Sequence, residues 1–387
     1  MKAYMDHGSS RPVDSRVLEE MRPYFTEDFG NPASLHSYGF MALEALKKAR
    51  QRVADLVEAE PEEIIFTSGA TESNNLALLG GVERYRGRGD GIVISAVEHI
   101  SVINIAKELS KKGFRVETCP VDGYGRIRLE ELEDLVDDQT VIVSLMAANG
   151  EVGTIQPIKR AAEIAHEHDA LFHTDATAAN GQIPLEVGDE IDLMTLSSND
   201  MYGPRGTGAL YMRRGSRVNP QMIGGGQESG MRSGSENIPG TVGMGKAAQI
   251  AGEEMEEEAK RLKGLRDLLV GGILDEVPAA FLNGHSEERL PNNANLRFSY
   301  LEGESITLRL DDLGIQVSTG SACAAKTLEP SHVCLAMGLT HEEAHGTIVF
   351  TLGKDNNRRQ VEYVLEQIPK VIRSLRGMSP LTPEELR

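Results

Sequence analysis

Several short segments of the chain carry side chains able to do chemistry, each where an apolar run gives way to a polar turn. Phe66-Thr-Ser-Gly-Ala-Thr71-Glu72 runs from a strand-like stretch into Gly69 and then a helical pattern. Backbone N–H groups at such a helix start, with Ala70 and the Thr71 hydroxyl, form a cup for an anion. It is not a P-loop, because no Gly-Lys-Ser/Thr follows. Leu171-Phe-His-Thr-Asp175 ends an apolar run in a carboxylate, and Ala-Val-Glu-His99-Ile-Ser places an imidazole after another. A glycine-rich loop with one arginine spans Gly224–Ser235, and Ser318-Thr-Gly-Ser-Ala-Cys323 holds a thiol among residues too small to build a core around it. Helix capping, turn formation and core packing account equally for single residues of this kind. His341-Glu-Glu-Ala-His345 matches the H-E-x-x-H zinc pattern, which needs both imidazoles on one face of a well-formed helix. Gly338 and Gly346 bracket it and a β-type run follows, leaving scarcely more than one turn, so zinc is not expected there.

The elements that must position these groups alternate. Strand-like runs at Glu63–Phe66, Ile92–Ser95, Val141–Met146, Ala170–Thr174, Ile191–Leu196 and Gly208–Met212 are separated by amphipathic stretches such as Met41–Val57, Ser101–Lys112 and Ile158–Glu167. Short apolar strands between helices imply an α/β fold with a mainly parallel sheet covered on both faces, with ligands at the strand C-termini. A helix over Gly240–Arg266, acidic at Glu253–Glu258, reads as a solvated connector to a smaller α/β unit. That unit has strands at Ala294–Tyr300, Ile315–Ser318 and Thr347–Leu352, and helices at Ser305–Asp312 and Arg359–Leu375.

Composition removes other classes. The chain has 387 residues, with 40 Lys and Arg against 59 Asp and Glu, a formal charge of −19. Nucleic-acid binding needs a basic face, and Arg213, Arg214 and Arg217 are too few to make one. Three cysteines, Cys119, Cys323 and Cys334, with no CxxC, exclude a disulfide framework and point to a reducing, cytoplasmic compartment. The N-terminus meets Asp6 before any apolar run, unlike a signal peptide. No run of ~18 apolar residues is present to span a membrane. Cys119 and Cys334 read as structural.

In order and over the full length, the segments resemble the pyridoxal-phosphate-dependent cysteine desulfurases of the NifS/IscS type. The pieces that carry the resemblance are Phe66–Asn75, Val97–Ser101, Asp175–Thr177, Tyr202-Gly-Pro-Arg-Gly206, Gly224–Ser235, Ser318–Cys323, Leu328-Glu-Pro330 and Ala344–Gly346. The Cys323 loop is similar to that of the family's first group, with Thr319 where a serine is usual. The resemblance implies a fold-type I, class V aminotransferase homodimer. Its large domain, residues 15–255, would carry a mainly parallel seven-stranded sheet. Its smaller α/β domain would comprise residues 1–14 and 256–387 and bear Cys323.

By the same resemblance Ala70, Thr71, Ser197 and Ser235 hold the cofactor phosphate, with Ser235 reaching across from the partner subunit. Asp175 pairs with the pyridine nitrogen, His99 stacks on the ring and moves protons, and Cys323 carries sulfur as a persulfide. Other positions depart from the family pattern. Asp200 stands where the Schiff-base lysine belongs, two residues before Tyr202, and Asn199 replaces a histidine. Gly150 and Ala178 replace an asparagine and a glutamine near the cofactor, and Val349 replaces the arginine that grips the substrate carboxylate.

Three functions follow as expectations. The first is sulfur mobilisation for iron–sulfur assembly, with Cys323 as persulfide carrier or as a ligand of a cluster shared with a scaffold protein. The second is slow turnover of L-cysteine on non-covalent pyridoxal phosphate, with Lys326 as a substitute amine. The third is a non-catalytic interaction dimer. The sulfur donor is L-cysteine or another compound such as sulfide.

Overall fold

The computed structural model describes residues 1–320 and 330–387. Its centre is a seven-stranded sheet built from β2 (Ile64–Thr67), β3 (Gly91–Ser95), β4 (Arg115–Cys119), β5 (Thr140–Ser144), β6 (Leu171–Asp175), β7 (Leu193–Ser197) and β8 (Gly208–Met212). The spatial order is β2-β8-β7-β6-β5-β3-β4. Neighbours from β7 to β4 are parallel, and β8 alone runs against both β7 and β2. Every residue of β3, β5, β6 and β7 is buried, as expected of strands covered on both faces. The edge strand β4 is mostly half-buried. Because β2, β3, β6 and β7 point the same way, their C-termini gather along one rim.

A second, smaller sheet joins β12 (Thr347–Thr351), β10 (Asn293–Phe298) and β9 (Ala280–Asn283), all antiparallel. Strand β1 (Ala3–Tyr4) pairs in parallel with β11 (Ile315–Gln316), so the first residues of the chain pack with its last third. Ala3 and Met5 accordingly share a hydrophobic core with Leu296, Phe350 and Ile368, separate from the core around the large sheet.

Outside the connector helix, the strands and helices expected from periodicity are present, with no end moved by more than four residues. Strands β1, β4 and β9 were not among those expected: β1 has two residues, β4 mixes charged and apolar side chains, and β9 is a four-residue edge strand. The connector helix needs a larger correction. It runs from Ile238 to Glu276, 39 residues and about 58 Å at 1.5 Å per residue. It is not solvated along its length. Val242, Met244, Ala247 and Ile250 belong to the first core, and Leu262, Leu269 and Ile273 to the second. Exposed residues begin at Gly252 and recur as far as Glu276, alternating with the residues of the second core. A Cβ on Gly245 would lie 2.5 Å from Ala49 Cα, so glycine there lets this helix and the one over Ser37–Val57 touch backbone to backbone. Among the described residues no helix is long and apolar enough to cross a membrane.

Candidate active site

The rim brings the expected residues together on four strand ends. After β2, Gly69 takes φ +143°, and the helix Ala70–Tyr85 begins with no side chain capping it. A Cβ on Gly208 would lie 2.6 Å from Gly69 Cα, so two glycines cross here at close range. The first-turn amides are left for an anion, with Thr71 exposed beside them. After β3, His99 caps the helix Ile100–Lys111. Asp175 closes β6 and is 4% exposed; Ser197 closes β7 and is 8% exposed. Ser235 lies on the surface of its own chain, just before the helix at Ile238.

Asp175 sits at the head of a hydrogen-bond chain that single residues did not reveal. Asn74, fully buried, donates from Nδ2 to Asp175 Oδ2 at 2.8 Å and to Ser101 Oγ at 3.0 Å. Ser101 Oγ lies 2.8 Å from His99 Nδ1. The Thr177 N–H donates to Asp175 Oδ1 at 3.0 Å. Both linkers, Asn74 and Ser101, fall inside segments that carried the resemblance, but no spacing rule connects residues 27 apart.

Beside this chain lies a concentration of buried acid. Glu98, fully buried, accepts from the Met146 N–H at 2.7 Å through one oxygen, while its other oxygen has no partner. Burial, reinforced by the Asp175 charge, pushes the Glu98 carboxyl well above the carboxylate range. Burial holds the His173 imidazole below its ordinary range, against the pull of Asp175.

Asp200 lies in the short turn Asn199–Met201 that follows β7. Burial raises its carboxyl, and Asp175 adds to the rise; the Arg11 guanidinium and the Ser197 hydroxyl oppose it. Arg11, 5% exposed, donates to the Asp200 backbone oxygen, donates to His7 O at 3.1 Å, and stacks over the Tyr202 ring at 5.2 Å. Arg11 was not legible in the sequence, because it enters from the N-terminal segment. The other departures are small or apolar: a Cβ on Gly150 would lie 3.3 Å from Ala178 Cβ, and Val349 is buried in β12.

Cys323, its candidate metal role and Lys326 lie outside the described residues. Cys119 and Cys334 are buried, and burial raises both thiols, that of Cys119 to about 12. The H-E-x-x-H segment forms a helix of five residues, His341–His345, with both imidazoles exposed.

The described residues fit pyridoxal phosphate. An uncapped helix start faces an anion, a buried carboxylate suits a protonated ring nitrogen, and the buried Thr177 Oγ1 and Asn199 Oδ1 have no partner within the protein. The side chain at 200 is a carboxylate and cannot supply an amine.

The aminotransferase class-V model matches residues 3–364. Cysteine desulfurase IscS 1 of Archaeoglobus fulgidus is 55% identical, over 98% of this chain and 99% of its own. Cysteine desulfurase IscS of Methanosarcina thermophila is 46% identical, over 99% and 95%. Among solved structures, a NifS-like protein superposes with a TM-score of 0.91 at 40% identity, over 97% of this chain and all of its own. The family is pyridoxal-phosphate-dependent, and its fold is the α/β arrangement described above. On the matched length, the identity and the shared fold, the chain belongs to the cysteine desulfurase IscS family of the class-V aminotransferases.

Proposed function

We propose that the protein mobilises sulfur for iron–sulfur cluster assembly with a site that holds pyridoxal phosphate non-covalently. In this reading the Cys323 thiolate takes the outer sulfur of a donor persulfide, the donor leaving as its thiolate, or supplies a thiolate to a cluster shared with a scaffold protein. The observation that carries it is Asp200, a carboxylate at the end of β7 beside Asp175, with buried Arg11 bonded to its backbone oxygen.

Ala70, Thr71 and Ser197, with Ser235 of the partner subunit, would hold the phosphate, and Asp175 would keep the ring nitrogen protonated. Pyridoxal phosphate, when bound, supplies an electron sink. With no amine at residue 200, no ammonium stands there to exchange protons, a loss of about 10²–10⁴ in rate. Val349 cannot pair a substrate carboxylate, which would be desolvated alone. Free cysteine is therefore turned over poorly, and the thiol is what the site retains. Thiolate is the ordinary iron–sulfur ligand.

A homodimer suits the exposed apolar residues Phe25, Phe29, Leu35, Tyr38 and Phe40, of which the Phe29 and Tyr38 rings lie 5.5 Å apart. The protein as purified is assayed for sulfide release from L-cysteine and for cluster transfer to a scaffold protein. The proposal expects negligible release and transfer that is lost in Cys323→Ala. Robust release without added cofactor would overturn it.

A further inference from the structure

Arg11 brings a permanent positive charge to the rim of the large sheet. A guanidinium stays protonated at any working pH, and burying it is costly unless something nearby answers the charge. Arg11 is 5% exposed, and among the described residues it makes no direct ion pair. Its Nε–H donates to His7 O at 3.1 Å, an Nη1–H donates to the Asp200 backbone oxygen, and the guanidinium lies 5.2 Å over the Tyr202 ring. The turn that carries Asp200 is pinned from other directions as well. The Asp14 N–H donates to Tyr202 O at 2.9 Å, and the Lys354 N–H donates to Tyr202 Oη at 2.9 Å. Tyr202 holds φ +61°, a left-handed conformation that a tyrosine keeps only where its surroundings impose it. The residue-200 turn is therefore fixed in place, and its fixed neighbour is a cation.

We propose that Arg11 is a positioning residue of the candidate site, whose guanidinium is the resident counter-charge of Asp200 where the family pattern places a lysine. The turn brings a carboxylate, and the cation arrives from residue 11 instead. The groups facing Asp200 support the assignment. Burial raises its carboxyl; the Arg11 guanidinium is the largest influence in the opposite direction, joined by the Ser197 hydroxyl and the Asn199 side chain, while Asp175 adds to the rise. Lys354, the other cation over the Tyr202 ring, is spent on Asp14 at 3.4 Å and Glu254 at 2.9 Å. Glu258 and Asp355 act on the Tyr202 hydroxyl, and Glu258 is paired with Arg261 at 2.7 Å. His7 is no competing cation, because burial and the Arg11 charge hold its imidazole down at about 4. With Asp175 and Asp200 both on the rim, the Arg11 charge also lowers the repulsion that an entering phosphate meets. That last consequence rests on the proposed function; the pairing with Asp200 does not.

The test is carboxyl ¹³C and guanidinium ¹⁵N NMR of the full-length protein across pH, with and without added pyridoxal phosphate, in the unmodified chain and in Arg11→Lys, Arg11→Met and Asp200→Asn. Coupling between two charges is reciprocal, so the Arg11 signals should shift as the Asp200 carboxyl titrates, and that step should vanish in Asp200→Asn. Arg11→Met should move the Asp200 midpoint upward by about one unit. Arg11→Lys keeps the charge and gives up the planar fork, so its movement should be less than about half as large. A guanidinium blind to the Asp200 titration overturns the proposal. So does an unmoved midpoint in Arg11→Met, or an equal movement in both variants, because a purely structural clamp answers to shape and not to charge. The unmodified protein and Asp200→Asn decide the coupling by themselves, so a residue-11 variant that misfolds does not blunt the test. Pyridoxal phosphate should bind Arg11→Met about tenfold more weakly, and equal binding would overturn the role of Arg11 in the site. Coupled titration in a protein that takes up no pyridoxal phosphate would leave the pairing standing and remove the functional reading. Uptake without coupling would do the opposite.

Discussion

The two sides of the candidate site are built differently. On one side Asp175, Asn74, Ser101 and His99 form a continuous hydrogen-bonded chain. On the other, Asp200, Gly150, Ala178 and Val349 offer a carboxylate, two small residues and a buried aliphatic. The first side is suited to orienting an aromatic cation and an anionic group. Those four positions bring no amine or guanidinium, and the described Arg11 is committed to backbone oxygens and to the Tyr202 ring. The contrast is what the proposed function rests on: among the described residues the means of holding a cofactor are kept on one side, and on the other residue 200 brings a carboxylate in place of an amine.

The predictions break or sharpen that contrast, beginning with the largest effect. Cys323→Ala should abolish sulfur or cluster transfer to a scaffold protein, measured by the appearance of cluster absorbance; unchanged transfer would make the thiol irrelevant. Asp200→Lys should create a cofactor absorbance band and raise cysteine-dependent sulfide release by about 10²-fold or more. No band after that change would mean the retained side cannot hold the ring either. Asn74→Ala should cost about 1–3 kcal/mol in chemical unfolding, because Asp175 loses a partner in a buried setting.

Glu151 gives the smallest and most pH-dependent effect. Its carboxyl, raised by burial to about 7, lies 3.5 Å from the Cys334 thiol. A carboxyl raised in the folded state favours folding most below its unfolded value of about 4.5, and that contribution is lost as pH rises through about 7. Glu151→Gln should therefore flatten the fall in stability between those limits and gain up to about 2 kcal/mol at pH 8. A profile parallel to the unmodified protein would show that Glu151 titrates normally.

Most of this architecture was legible in the sequence. The buried parallel strands announced themselves as apolar runs, and Asp175, His99 and Thr71 fell at their ends as loops of an α/β sheet require. The long helix was expected over Gly240–Arg266 as a solvated connector because its acidic stretch, Glu253–Glu258, stands out in the sequence, whereas Gly243 and Gly245 admit close contact with Pro204 and Ala49. Asn74, Ser101 and Arg11 were invisible as functional residues for another reason. Their roles depend on side chains brought together from 27, 101 and 189 positions away, and no local periodicity records such pairings.

The central claim is that the site holds pyridoxal phosphate without a covalent bond. Borohydride reduction of the protein with pyridoxal phosphate, followed by peptide mass spectrometry, tests it most directly. The account predicts no pyridoxyl adduct on the unmodified chain and an adduct at residue 200 in Asp200→Lys. A stoichiometric adduct on the unmodified chain, at Lys326 or any other lysine, would contradict it.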